Sequence, residues 1–305
     1  MVSCQSVGLS RKYWILAALA ALLALAGLLL WRFGPWRRAS AEAMLRELPP
    51  GEGLTVFVDA RALRRSGILQ RLAGEAGAED DDYKAFVAAT GFEYRRDLDA
   101  VLLRAGGGRR WIVADARLDL GRLNRYFLAH GGRCVGRLCS MQGSAPERQI
   151  SWIRLQSGRL GIAVNPDPLA AAAFGSGSSS GAWQPPPAPL WVFVPSRDLY
   201  APPGAPAWLD LAVQGLRGSK WLLWSAGPDG GRLRVGLEIA CLDPAGALEI
   251  AARWDSVLAS LREAAAHGDS DSFPALLAGA SVHAAGDRVH AEWRFEWERL
   301  EKLLP

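Results

Sequence analysis

Residues 97–119 read DLDAVLLRAGGGRRWIVADARLD, and the reading of this stretch decides the fold. Leu98 to Leu103 and Trp111 to Ala114 are apolar, strand-forming runs. Between them Gly106, Gly107 and Gly108 tolerate the positive φ that a tight turn demands. The pattern predicts an antiparallel hairpin, the strongest such signal in the chain. Antiparallel strands joined by a short turn need no crossover helix, so the class implied is α+β with mainly antiparallel sheets.

Before the hairpin, Leu54-Thr55-Val56-Phe57-Val58 reads as a strand, preceded within 39–53 by a short helix that ends at Pro49-Pro50. Asp59 is a candidate N-cap for a helical stretch with Leu63, Ile68, Leu69 and Leu72 at near-helical spacing, interrupted at Ser66-Gly67. A second helix is expected from Asp80-Asp81-Asp82, whose charge suits a helix N-terminus, to Gly91. After the hairpin, Leu120, Leu123, Phe127 and Leu128 share a helix face, with Gly131-Gly132 as the stop. Strands recur near 133–140, 149–155 and 159–164, and an Ala-rich helix runs from Pro166 to Phe174.

Residues 175–189, GSGSSSGAWQPPPAP, have linker composition, flexible at first and then stiffer. Beyond it the order restarts. Leu190-Trp191-Val192-Phe193-Val194 echoes the first strand, a helix is expected at Ala207 to Arg217, and a hairpin turns at 228–231. A long helix from Pro244 to about His267, a strand pair turning at Gly286-Asp287 and a closing helix to Leu304 follow. The reading is a βαββαββα unit used twice, in two similar α+β halves. The segments are 1–38 (tail, transmembrane helix and basic flank), 39–174, the linker 175–189, and 190–305. The two sheets either pack side by side or join into one antiparallel sheet with helices on one face.

Ahead of all this, Trp14 to Trp31, WILAALAALLALAGLLLW, is an unbroken apolar run of eighteen residues. At about 1.5 Å each it reaches roughly 27 Å, the hydrocarbon thickness of a bilayer. Terminal Trp residues suit the two interfaces, and Arg11, Lys12, Arg32, Arg37 and Arg38 flank the run. The expectation is a retained transmembrane helix in contact with lipid through residues 14–31. A signal peptide would be shorter, and the A-x-A match at Ala39-Ser40-Ala41 lies behind a bulky basic block. Cys4 precedes the run and cannot carry the lipid of a lipoprotein. The flanking charges nearly tie, so orientation rests on the short N-terminal tail and the cysteines: N-terminus inside, body periplasmic or otherwise extracytoplasmic.

The chain carries a formal charge of +4, but five of its 35 Lys and Arg lie before residue 39, and the remainder nets −1. A body without basic surplus argues against nucleic acid as partner. Cys134 and Cys139 enclose Val-Gly-Arg-Leu, a turn at which two thiols can meet, as a structural disulfide or as free half-buried thiols; Cys241 sits in an apolar strand.

No constellation carries chemistry in a credible setting. Gly177-Ser178-Ser179-Ser180-Gly181 matches a nucleophile elbow but lies in low-complexity sequence, and His290-Ala291-Glu292 lacks the cysteine pair of a zinc deaminase. Glu79 to Asp82 lacks calcium-loop spacing, and Gly106 to Arg110 is followed by no helix N-terminus that would cradle phosphate. Walker A and dinucleotide fingerprints are absent, so no cofactor, metal or catalytic residue is expected. The second half is rich in tryptophan, and Trp221, Trp224, Trp293 and Trp297 alternate with charge. They form either an exposed recognition surface or the filling of an Ala- and Leu-rich core.

The succession LPPGEGLTVFVDARALRRSGIL, FVAATGFEYRRDLDAV and WIVADARLDLGRLNRYF (residues 48–69, 86–101 and 111–127) resembles a group of uncharacterised bacterial single-pass membrane-anchored proteins. The resemblance covers about a third of the chain, implies an anchored α+β body and transfers no functional residue. The function expected is a non-enzymatic, membrane-anchored protein that binds an envelope protein or glycan or helps assemble an envelope component. The alternatives are a hydrolase or transferase built from dispersed Asp, Glu and Arg, and a sugar-binding module using exposed Trp.

Overall fold

The hairpin at 97–119 forms because Gly107 and Gly108 both adopt positive φ, +56° and +73°, the geometry of a two-residue turn whose twist matches the strands it joins. A computed structural model describes residues 40–73, 81–145, 147–177, 183–200, 213, 215–216, 218–267 and 273–301. Helix α1 (Ala41–Glu47) leads into strand β1 (Leu54–Val58), then α2 (Ala60–Arg65), α3 (Ile68–Ala73), α4 (Asp81–Thr90) and α5 (Tyr94–Asp97). The hairpin is β2 (Leu98–Gly106) and β3 (Arg109–Ala116), followed by α6 (Leu120–Ala129), β4 (Arg133–Val135), β5 (Leu138–Gln142), β6 (Gln149–Arg154) and β7 (Leu160–Asn165). A 3₁₀ turn at Ala170–Ala173 stands where an Ala-rich helix was expected. The second half runs β8 (Leu190–Pro195), β9 (Ser219–Asp229), β10 (Arg232–Cys241), α7 (Pro244–His267), α8 (Phe273–Leu277), β11 (Ser281–Ala285), β12 (Arg288–Glu296) and α9 (Trp297–Glu301). The apolar run at 14–31 and most of the helix expected at 207–217 lie outside the described residues. Among the described residues no helix is long and apolar enough to cross a membrane.

The twelve strands among the described residues belong to one sheet, in the order β11-β12-β10-β9-β8-β1-β2-β3-β7-β6-β5-β4, and every neighbouring pair is antiparallel. Of the two arrangements open from the sequence, the joined sheet is the one observed. The join is β1 against β8, with Val56 opposite Val192, the middle residues of LTVFV and LWVFV. Outward from that pair the orders match: β1-β2-β3-β7-β6 on one side and β8-β9-β10-β12-β11 on the other. Among the described residues the first half extends further, by the β5–β4 hairpin, and β4 and β11 end the strand order.

Strand alternation sorts the side chains onto two faces. One face is covered by helices. Leu123 and Phe127 of α6 pack on Cys139 and Trp152; Leu63 and Ile68 pack with Val58 and Trp297; Ala247, Ile250, Ala251 and Leu258 of α7 pack on Val235, Leu237, Ile239, Val289 and Ala291. On the other face Phe57, Trp191, Phe193 and Trp221 run across the join, with Trp183 stacked on Phe193 at 4.4 Å between ring centroids. The flanks of the linker segment are therefore packed on the body. Trp183 is buried, and Gly177 passes so close to the chain that a Cβ there would sit 2.0 Å from the Leu48 carbonyl oxygen. Residues 178–182, which hold the rest of the G-x-S-x-G match, lie outside the described residues.

Candidate functional site

Two clusters of polar side chains stand out among the described residues. The first is a shallow cleft of about 220 Å³ where α4, α5 and the start of α6 meet, lined by Arg96, Asp97, Arg117, Asp119 and Arg122. Gly91 ends α4 with φ +71°, which lets the chain reverse into α5 and places Asp97 beneath Glu93. The Asp97 carboxylate accepts from the Glu93 N–H at 3.0 Å and from Arg96 Nε and Nη2 at 3.0 and 2.7 Å. Those hydrogen bonds from Arg96, opposed by partial burial and helped by the backbone N–H, hold its pKa down at about 2. Arg117 lies 3.9 Å from the same carboxylate and donates to the Arg96 carbonyl, tying the exit of β3 to α5. Asp119 caps α6 by accepting from Gly121 N and Arg122 N at 2.8 and 3.1 Å, and the bond from Arg122 N is the leading cause of its lowered pKa.

General acid–base chemistry near neutral pH needs a carboxyl group raised toward 7. Asp97 is displaced the other way and its oxygens accept from these donors, so it acts as a clamp between α5 and the exit of β3.

The second place is the sheet face of β9–β12 opposite α7. Arg288 pairs with Glu238; Arg232 pairs with Glu296 at 2.6 Å; Arg234 and Arg294 both reach Glu292, at 2.5 and 2.9 Å; Arg294 also reaches Asp229 at 3.4 Å. His283 and His290 stack across β11–β12 with centroids 5.3 Å apart. His290 and Glu292 share this face, as alternation requires, but Glu292 is held by two arginines. Among the described residues no three His, Cys, Asp or Glu side chains are placed to hold a metal ion.

The four tryptophans do not form an exposed surface. Trp221, Trp293 and Trp297 are buried and Trp224 is half-buried. Val289, Ala291, Trp293 and Phe295 alternate with Arg288, His290, Glu292, Arg294 and Glu296, and the apolar set faces α7. Trp293 also donates from its indole nitrogen to the Leu277 carbonyl at 3.0 Å. Trp297 lies under Leu63 and Ile68, and Trp221 packs on Phe193 beneath Arg288. Alternation of Trp with charge marked the inward face of β12, so these four tryptophans do not make an exposed aromatic surface.

Cys134 and Cys139 are directly opposed in the β4–β5 register and are joined in a disulfide. Cys139 is buried beneath Leu123, Phe127 and Trp152, so the bond pins an edge hairpin to the core. Reduction, or Cys134→Ser with Cys139→Ser, is expected to lower stability by about 2 kcal/mol, the chain-entropy value for so short a loop. Denaturant titration with and without reductant checks this, and coincident curves would contradict it. Cys241 is fully buried and burial raises its pKa, so it should resist thiol reagents until the protein unfolds.

Neither a family model nor a curated protein matches this chain. Among solved structures it is similar to crystal form I of TP0453, with TM-score 0.43 and 10% identity over 85% of this chain and 95% of that one. Crystal form III of TP0453 gives TM-score 0.43 and 11% identity over 85% and 96%, and form IV gives 0.40 and 10% over 88% and 98%.

Proposed function

We propose that this is a membrane-anchored, non-enzymatic envelope protein whose extracytoplasmic α+β body, built of two similar halves, binds another envelope component or helps assemble one. The observation that carries the reading is the state of the polar groups. Of the two carboxylates lining the cleft, Asp97 is held at a pKa of about 2 by Arg96 and Asp119 is lowered by capping α6, and the carboxylates of the β9–β12 face are taken up by arginines. What the described residues offer a partner is a broad sheet face and edges, which suits a protein or glycan. The anchor rests on the apolar run 14–31 with its basic flanks.

Membrane attachment should survive high-salt and alkaline washing, whereas an N-terminus mapped to Glu42 in cells would overturn it. Crosslinking in intact cells, followed by identification of what is joined to the body, should recover an envelope component. Turnover of hydrolase substrates that is lost in Asp97→Asn would favour an enzyme instead.

A further inference from the structure

Charge on the body is segregated. From α6 through β6, residues 120–154, the sequence holds six arginines and a single carboxylate, Glu147. Arg122, Arg125, Arg133, Arg137, Arg148 and Arg154 are all exposed. Only Arg122 has an ion-pair partner among the described residues, Asp119 at 3.6 Å. In the second half, by contrast, Arg232, Arg234, Arg253, Arg288 and Arg294 are each matched by a carboxylate. Arg125 also feels the Asp119 carboxylate, which leaves Arg133, Arg137, Arg148 and Arg154 without an acidic partner among the described residues. Like charges gathered at one end of a body that nets −1 repel one another, and an external anion relieves that repulsion.

The geometry narrows the anion. The basic set surrounds the β4–β5 hairpin, the part of the sheet that lies outside the strand order shared by the two halves. The disulfide holds that hairpin's inner face under α6 while Arg133, Val135 and Arg137 remain outside. Two exposed aliphatic side chains lie in the same stretch: Val135, 79% exposed on the edge strand and turned away from α6, and Leu128, 54% exposed on α6. Single-stranded nucleic acid would call for exposed aromatic platforms, but Tyr126, Phe127 and Trp152 in this stretch are half-buried or buried. Exposed aliphatics within a cationic rim suit the boundary between headgroups and acyl chains.

We infer that the arginine-rich β4–β5 edge, with α6, is a docking surface for anionic lipid headgroups. The reach to a bilayer rests on the anchored reading, and the acidic remainder of the body, repelled by the same surface, orients the edge toward it.

The test uses the full-length chain reconstituted in neutral phosphatidylcholine vesicles or in vesicles with about one third phosphatidylglycerol, read by amide hydrogen exchange. Exchange across residues 133–142 should be about tenfold slower on the anionic vesicles. The protection should vanish near 1 M salt, where the screening length is about 3 Å. It should also vanish in Arg133→Glu/Arg137→Glu and persist in Arg253→Glu, which changes charge on α7. An unchanged melting temperature and an intact disulfide establish that the double variant is folded.

Equal exchange on the two vesicles, or protection that survives the double variant, would overturn the inference. So would protection by soluble heparin but not by vesicles, which would reassign the edge to a polyanion. If alkaline washing strips the chain from both vesicle types while anionic protection remains before the wash, the anchor fails and the docking surface stands.

Discussion

Trp191→Ala is expected to lower stability by about 3–5 kcal/mol, a large share of the roughly 5–15 kcal/mol that holds an ordinary domain folded. Trp191 is fully buried on β8 at the join of the two halves, opposite Phe57 of β1 with ring centroids 5.5 Å apart, and Trp183 meets it edge-on at 5.2 Å. Truncation opens a cavity in the row of rings crossing from β1 to β9 and removes aromatic contacts worth about 0.5–1.5 kcal/mol each beyond their buried area. Because β1 and β8 form one ladder, the loss should shift a single cooperative transition instead of splitting off one half. The Trp191 indole N–H has no hydrogen-bond partner among the described residues, so Trp191→Phe should cost well below the alanine figure: it leaves a smaller gap and removes an unpaired donor. Denaturant curves followed by far-ultraviolet circular dichroism measure both variants. An alanine effect under about 1 kcal/mol would mean the join is not where the halves are held together.

Asp97→Ala should be next in size, at about 2–3 kcal/mol. It deprives Arg96 and the Glu93 N–H of their acceptor and frees Arg117 from the corner it closes. The same carboxylate predicts an acid response. Its folded pKa of about 2 lies below the ordinary 3.8, so the folded state favours the ionised form. The contribution is complete above the unfolded value and is lost as pH falls through about 4 toward 2. Solvent at the rim of the cleft screens the interaction, so about 1–2 kcal/mol of the acid-induced loss belongs to this group. Stability measured from pH 6 to pH 2 should fall less steeply in Asp97→Ala than in the parent. Parallel slopes would show that Asp97 is not depressed.

The sheet's neighbours in sequence were legible because their signals are local. Gly107-Gly108 and Gly230-Gly231 announce turns by composition, and both pairs adopt positive φ. The helix Pro244–His267 begins and ends where the sequence placed it. The tryptophans stayed open between surface and core for a physical reason. Alternation says that Trp293 and Arg294 face opposite ways, but which way is inward depends on where α7 lies, and that is a contact between elements far apart in the chain. The basic edge was missed although its signal lay in the sequence. Averaging charge over the whole body gave −1 and concealed six arginines against one acid between residues 120 and 154. Asp97 left no such trace, since its role depends on the chain reversal at Gly91 bringing Glu93 and Arg96 round it.

By itself, then, the sequence determined the antiparallel α+β class, the main strands and hairpins and the long helix Pro244–His267, and it brought Cys134 and Cys139 to one turn without deciding whether they are bonded. These follow from turn chemistry, side-chain period and short-range geometry, which act over a few residues. Only the tertiary structure decided that the halves share one sheet, through Val56 opposite Val192, and that the helices cover one face of it. The pairing of two edge strands 136 residues apart leaves no mark in either strand alone. Each has the same alternation whether it ends a sheet or continues one, and the choice is made by the aromatic rings that become buried only when the two edges meet.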